Sequence, residues 1–245
     1  MKDEEAVRLV DLVWGPVKKR NLASPVLGDA TWHDILVVAE ETVEDALRRA
    51  LTSPVQGERA RIGRRCVIND AVRKATIYPV HYSVPLYVSE GFLTEVAAAE
   101  ARLAPAAASS KRRRSVRMPQ CCVEHVVPIA VHCSGSRIIA EPEKNLRYLR
   151  RTLLGPICLL TKEEDRRIDP SLRKRNDRPN RPFGRYEGVT EIRRTDTGER
   201  IDREGFSFRD HLRVMASHPA YATAVPMFSG AAAAWRDRIA EIRRG

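Results

Sequence analysis

The sequence predicts an α+β fold that is mainly helical, with a helical N-terminal region and a small ββα core followed by C-terminal helices. Long segments repeat apolar residues at the three- and four-residue spacing of an amphipathic helix. Short β-prone runs follow in the second half of the chain. Aromatic residues make up only 6% of the sequence, so the core must consist mainly of Leu, Val, Ile and Ala.

The first part of the chain is predicted to be a helical domain over residues 1–104. Its helices are expected at residues 3–20, from Asp29 or Thr31 to Leu47, at 57–76 and at 91–103. The run YPVHYSVPLYVSEGF contains two prolines and is predicted to be an extended connection. We expect this domain to recognise or clamp DNA.

A basic linker is predicted at residues 105–117, where APAAASSKRRRSVR passes from small residues into a cationic cluster. It has two compatible interpretations, a flexible connection and an arm that follows phosphates.

The second domain is predicted over residues 118–245. VRMPQCCVEHVVPIAV has β propensity, EPEKNLRYLRRTLL has the pattern of a basic amphipathic helix, and ICLLT at 157–161 is a short apolar strand. KEEDRRI opens a helix directly after that strand. A Pro-, Arg- and Asn-rich loop is expected from Asp169 to Gly188, and the last two helices from SFRDHLRVMASHP and GAAAAWRDRIAEIRR.

The positive charge of the chain is concentrated in one segment. Residues 111–194 contain 21 Lys and Arg against 10 Asp and Glu, whereas the rest contains 22 of each kind, and the whole chain carries a net charge of +11. A localised basic field suits a polyanion, because each phosphate contact releases counterions. The alternative is a solvated face joined to a basic linker.

The remaining composition predicts a cytoplasmic protein. No stretch reaches the ~18 apolar residues of a membrane span, and the N-terminus MKDEEAVRLV is acidic and unlike a signal peptide. The five cysteines are predicted to be thiols. Vicinal Cys121 and Cys122, with His132, Cys133 and Cys158, lack the spacing of a structural zinc site.

Three features of the basic segment point to phosphodiester chemistry. Glu124 and His125 end a β-prone run, and neighbouring residues of a strand point to opposite faces, so a carboxylate can bind a metal while an imidazole addresses water. Asp165 follows in the first helical turn after ICLLT and supplies the hard oxygen that Mg²⁺ prefers. The surroundings are rich in arginine.

Over roughly residues 115–170 the chain resembles the HNH, or ββα-metal, endonucleases. EHVVP is similar to that family's first strand with its acidic-His pair, and ICLLTKEEDRR is similar to its second strand and helix. The resemblance implies His125 as general base, Glu124 and Asp165 as ligands of one Mg²⁺ or Mn²⁺ ion, and Asn145 and Glu164 as candidate supporting residues.

The function predicted is therefore metal-dependent cleavage of DNA, with restriction or defence as the expected role and duplex DNA as the expected partner. A homodimer would suit palindromic sites. Arginines and lysines are predicted to bind the phosphates: Lys111, Arg112, Arg113, Arg114, Arg147, Arg150, Arg151, Arg166, Arg167, Arg173, Lys174 and Arg175.

Two other functions fit the same basic segment, a non-catalytic DNA-binding protein and an RNase of toxin type. The individual residues also have structural interpretations. His125 beside an apolar run can be a core histidine, and Asp165, with its acidic neighbours, can simply complement a helix dipole.

Overall fold

The computed structural model describes residues 32–82, 85–103, 121–128, 133–168, 181–218, 221, 225–228 and 231–244. The predicted helix at 3–20 and the basic linker at 105–117 lie outside these residues. Among the helices described, none combines the length and the apolar character needed to cross a membrane.

The chain forms two compact units, and each is assembled from separate stretches of sequence. Within the described residues, unit 1 contains 85–103, 121–126, 156–168 and 181–211, and unit 2 contains most of the remaining helices.

Mainly helical α+β architecture is confirmed. The elements in chain order are α1 (Trp32–Thr52), α2 (Glu58–Tyr82), β1 (Tyr87–Ser89), α3 (Glu90–Leu103), β2 (Cys121–His125), α4 (Gly135–Ala140), α5 (Pro142–Leu146), α6 (Leu149–Leu153), β3 (Ile157–Thr161), α7 (Lys162–Arg167), a 3-10 turn (Pro182–Tyr186), β4 (Ile192–Arg194), α8 (Phe208–Ser217), a second 3-10 turn (Val225–Phe228) and α9 (Ala231–Arg244).

Unit 1 is organised around a four-stranded mixed sheet of order β2-β3-β1-β4. β2 and β3 are antiparallel, β1 and β3 are parallel, and β4 pairs antiparallel with β1. The strand ICLLT is buried at every position because it is central in the sheet.

An aromatic cluster covers part of this sheet. The ring of Tyr87 lies 4.8 Å from that of Phe183 and 5.9 Å from that of Phe206, both in edge-on arrangements that aromatic pairs favour. The Tyr87 hydroxyl and Nδ1 of buried His211 are 2.9 Å apart and share a hydrogen bond. These contacts fix the first 3-10 turn against β1.

Unit 2 is a helical cluster in which α1 packs along α2 and also contacts α6 and α9. Apolar residues on one face of α1, such as Leu36, Val43 and Leu47, are buried. Glu40 is on this face too and is only 2% exposed. It is neutralised by Arg150, whose Nε donates to Oε1 at 2.6 Å, and by Arg238, whose Nη1 donates to Oε2 at 3.1 Å.

Several predicted elements are confirmed, and others need correction. α1, α3, β3, α7 and the two C-terminal helices lie where they were expected. The segment 78–89 is not a continuous extended connection, because α2 continues to Tyr82 and Tyr87–Ser89 forms a strand. This strand and β4 both add to the sheet, so the predicted two-stranded core is four-stranded. The expected single helix of EPEKNLRYLRRTLL is divided into α5 and α6 by a turn at residues 147–148.

The predicted domain division also needs correction. β1 and α3 precede the basic linker, but β1 pairs with β3 and β4, which follow it. A boundary at residues 105–117 would therefore cut through the sheet of unit 1. The loop expected at 169–188 is described only from residue 181, and there it forms a 3-10 turn with four buried residues.

Candidate active site

The strand–strand–helix order expected from the sequence is present in unit 1. β2 and β3 pair over five positions, from Cys121↔Thr161 to His125↔Ile157. α7 begins immediately at the end of β3, because the Thr161 side chain accepts a hydrogen bond from Glu164 N while Glu164 Oε2 accepts one from Thr161 N. α7 contacts both strands.

Glu124 is held in an ion pair with an arginine that the sequence analysis did not select. Its Oε1 lies 2.8 Å from Nη2 of Arg185, and the two side chains are 25% and 2% exposed. Nη1 of the same guanidinium donates to the carbonyl oxygen of His125 at 3.2 Å. Arg185 belongs to the first 3-10 turn. It was indistinguishable in sequence from the other arginines of its Pro- and Asn-rich tract.

His125 ends β2 and points to the opposite face of the strand from Glu124. Its side chain is half-buried, and burial lowers the pKa of its imidazole from 6.5 to about 4. The ring is therefore neutral at pH 7, but a pKa near 4 also makes it a weaker base than an ordinary histidine, because a general base works best with a pKa near the operating pH.

Burial and the negative charges of Asp165 and Glu124 all raise the pKa of the Cys122 thiol. The pKa of this half-buried thiol is raised by burial first, then by the negative charge of Asp165, and also by that of Glu124. Cys122 and Glu124 are two residues apart on β2 and share a face. The negative charge of Asp165 thus reaches Cys122, which is on the same face of β2 as Glu124.

The structure does not bring all three predicted site residues to one point. His125 pairs with Ile157, four residues before Thr161, where α7 begins. At the rise of a strand this is about 13 Å along β3, and Glu124, which pairs with Cys158, is about 10 Å from the same point. Among the described residues, no group of three or more His, Cys, Asp or Glu side chains is arranged to hold a metal ion. Glu124 and Asp165 each offer the hard oxygen donors that Mg²⁺ or Mn²⁺ prefers, and such an ion can keep several waters; Glu124 is at the same time ion-paired with Arg185.

Glu164 contributes hydrogen bonds that hold the fold together. Its carboxylate is buried, and besides the Thr161 amide it accepts a hydrogen bond from Ser89 Oγ at 2.5 Å. It thus connects the start of α7 to the end of β1. Asn145 is in unit 2, where its buried amide donates to the carbonyls of Arg137 and Glu141 at 2.9 Å. Both side chains are engaged within the fold.

The predicted phosphate-binding cations fall into three groups. Arg166 and Arg167 are exposed on α7 of unit 1, and Nη2 of Arg167 donates to the Gly188 carbonyl. Arg147 and Arg151 are exposed in unit 2, whereas Arg150 is committed to buried Glu40. The others lie outside the described residues: Lys111, Arg112, Arg113, Arg114, Arg173, Lys174 and Arg175.

Comparisons with protein-family models, with curated proteins and with solved structures gave no match to this chain.

Proposed function

We propose that the chain is an endonuclease that uses a divalent metal ion to hydrolyse phosphodiester bonds in DNA. The observation that supports this proposal is the antiparallel β2–β3 pair followed at once by α7, with Glu124 and His125 at the end of β2 and Asp165 on α7. This is the arrangement of elements that the HNH resemblance implies.

In this proposal each residue has a separate task. Glu124 and Asp165 hold Mg²⁺ or Mn²⁺, which when bound supplies stabilisation of the negative charge on the reacting phosphate. His125 is the proposed general base for the attacking water; because its ring is on the opposite face of β2 from Glu124, this role requires the substrate phosphate to extend around the strand end. Arg166 and Arg167, exposed on α7 beside Asp165, bind flanking phosphates. A cytoplasmic location and a homodimer on palindromic DNA remain predictions from the sequence.

The test is cleavage of supercoiled plasmid DNA by the full chain in Mg²⁺, Mn²⁺ or EDTA. His125→Ala is expected to lower the rate at least ~100-fold, the usual contribution of a general base, while salt-dependent DNA binding is retained. Glu124→Gln and Asp165→Asn are expected to raise the metal concentration needed for cleavage. His33→Ala is the matched control, since His33 is exposed on α1 in unit 2; its rate should equal that of the unmodified chain.

Three outcomes contradict the proposal in different ways. Cleavage at an unchanged rate by His125→Ala removes the proposed base. Salt-dependent binding without cleavage in any metal indicates a non-catalytic DNA-binding protein. Cleavage of structured RNA but not of duplex DNA indicates a ribonuclease.

A further inference from the structure

Arg185 is an unusual residue to find inside unit 1. It is 3% exposed, and a buried guanidinium is stable only when its charge and its donors are compensated. Its guanidinium binds the carboxylate of Glu124 and the carbonyl oxygen of His125. Its Nε is buried and has no hydrogen-bond partner among the described residues.

The two contacts fall on consecutive residues, and these are the residues to which the proposed function gives chemistry. One planar guanidinium binds the side chain of Glu124 with Nη2 and the backbone of His125 with Nη1. Because the fork of donors is rigid, fixing one contact also fixes the direction of the other. Glu124 carries one more rotatable bond than an aspartate would, so an unheld carboxylate would lose more conformational freedom on binding a cation.

We propose that Arg185 is a positioning residue for the metal site, orienting the Glu124 carboxylate and holding the end of β2 at His125. This inference rests on the proposed function, because it assigns Glu124 to the cation. Arg185 itself touches neither metal nor substrate. A lysine at this position keeps the charge but cannot bind both partners with one planar group, so it restores only part of the effect.

The experiment compares Arg185→Gln and Arg185→Lys with a matched control, Arg194→Gln. Arg194 is also partly buried and carboxylate-paired, with Nε and Nη2 donating to the two oxygens of Asp196 at 3.0 and 2.6 Å. It is on β4, at the edge of the sheet opposite β2. Mn²⁺ binding is measured by calorimetry, cleavage is followed against Mn²⁺ concentration, and stability is measured by urea unfolding.

Arg185→Gln is expected to weaken Mn²⁺ binding at least tenfold and to shift the Mn²⁺ dependence of cleavage by the same factor. Arg185→Lys should fall between this variant and the unmodified chain. Arg194→Gln should lose stability but bind Mn²⁺ within twofold of the unmodified chain, which separates positioning from a general loss of stability. If Arg185→Gln does not fold, Arg185→Lys, which keeps a buried cation, provides the comparison.

Unchanged or tighter Mn²⁺ binding in folded Arg185 variants overturns the positioning role and leaves the proposed function standing. Equal weakening in the Arg185 and Arg194 variants also overturns it, since the effect is then one of stability alone. If the unmodified chain neither binds Mn²⁺ nor cleaves DNA, the proposed function fails and the role of Arg185 fails with it.

Discussion

Replacing Gly91 by alanine should destabilise unit 1, although the residue is helical and alanine favours helices. Gly91 is the second residue of α3, and a Cβ built on it would collide with Oε1 of Glu164 and lie 2.8 Å from its Cδ. The Glu164 side chain is not free to withdraw, because it is buried and accepts hydrogen bonds from Ser89 Oγ and the Thr161 amide. Relief of the clash therefore weakens these hydrogen bonds.

The size of the effect follows from these contacts. A hydrogen bond to a charged group contributes about 1.5–3 kcal/mol, so the loss of two of them costs about 3–6 kcal/mol. The gain in helix propensity from glycine to alanine is at most ~1 kcal/mol. We expect Gly91→Ala to lower the free energy of unfolding by about 2–5 kcal/mol.

Urea unfolding followed by circular dichroism measures this change, with two controls. Gly63→Ala on α2 meets no atom within 4 Å and should be neutral or stabilising. Glu164→Ala removes the group with which the new methyl collides, so Gly91→Ala should add little cost in that background. The reasoning is refuted if Gly91→Ala stabilises the protein as Gly63→Ala does, or if its cost persists without the Glu164 carboxylate.

Two further predictions concern ionisable groups. Because the pKa of His125 is lowered in the folded chain, the unfolded chain binds a proton at higher pH than the folded one. The neutral ring therefore contributes fully to stability above pH 6.5, and this contribution is lost as the pH falls from 6.5 to about 4. The loss amounts to about 3 kcal/mol. His125→Asn should flatten the pH dependence of the free energy of unfolding, measured in urea, in that window. An unchanged pH profile would contradict the lowered pKa of His125. In unit 2, Glu40→Ala should cost about 3 kcal/mol because Arg150 and Arg238 lose their buried partner. Thermal unfolding beside exposed Glu41→Ala checks this, and equal stability of the two variants would disprove it.

The fold could be predicted where a local pattern determines an element. α1 has a long apolar face, and β3 is a continuous apolar run followed by the capping pair Thr161 and Glu164, so both were placed correctly. β1 has only three residues, too few to show a period. Its place in the sheet depends on pairing with Cys158, 71 residues later, and no local pattern reports such a contact.

The candidate site, too, could be predicted only where a local pattern marks it. Glu124 and His125 are adjacent, and the end of a strand could be expected there. Whether Asp165 approaches them depends on the register of β2 and β3 and on the direction of α7, which the sequence leaves open. Arg185 was missed because its significance comes from being buried against Glu124. In sequence it is one basic residue in a polar tract that reads as a loop.

The sheet order of unit 1 also determines when its strands can pair during translation. The register joins Tyr87 of β1 to Cys158 of β3 and to Arg194 of β4, the latter 107 residues further along the chain. At ~5–20 residues per second, β1 leaves the ribosome about 5–20 s before its second partner exists. During that interval the apolar strand has an unpaired edge that other nascent chains can join. Slow, chaperone-dependent maturation is the expected result, and chains that terminate before β4 should aggregate rather than fold.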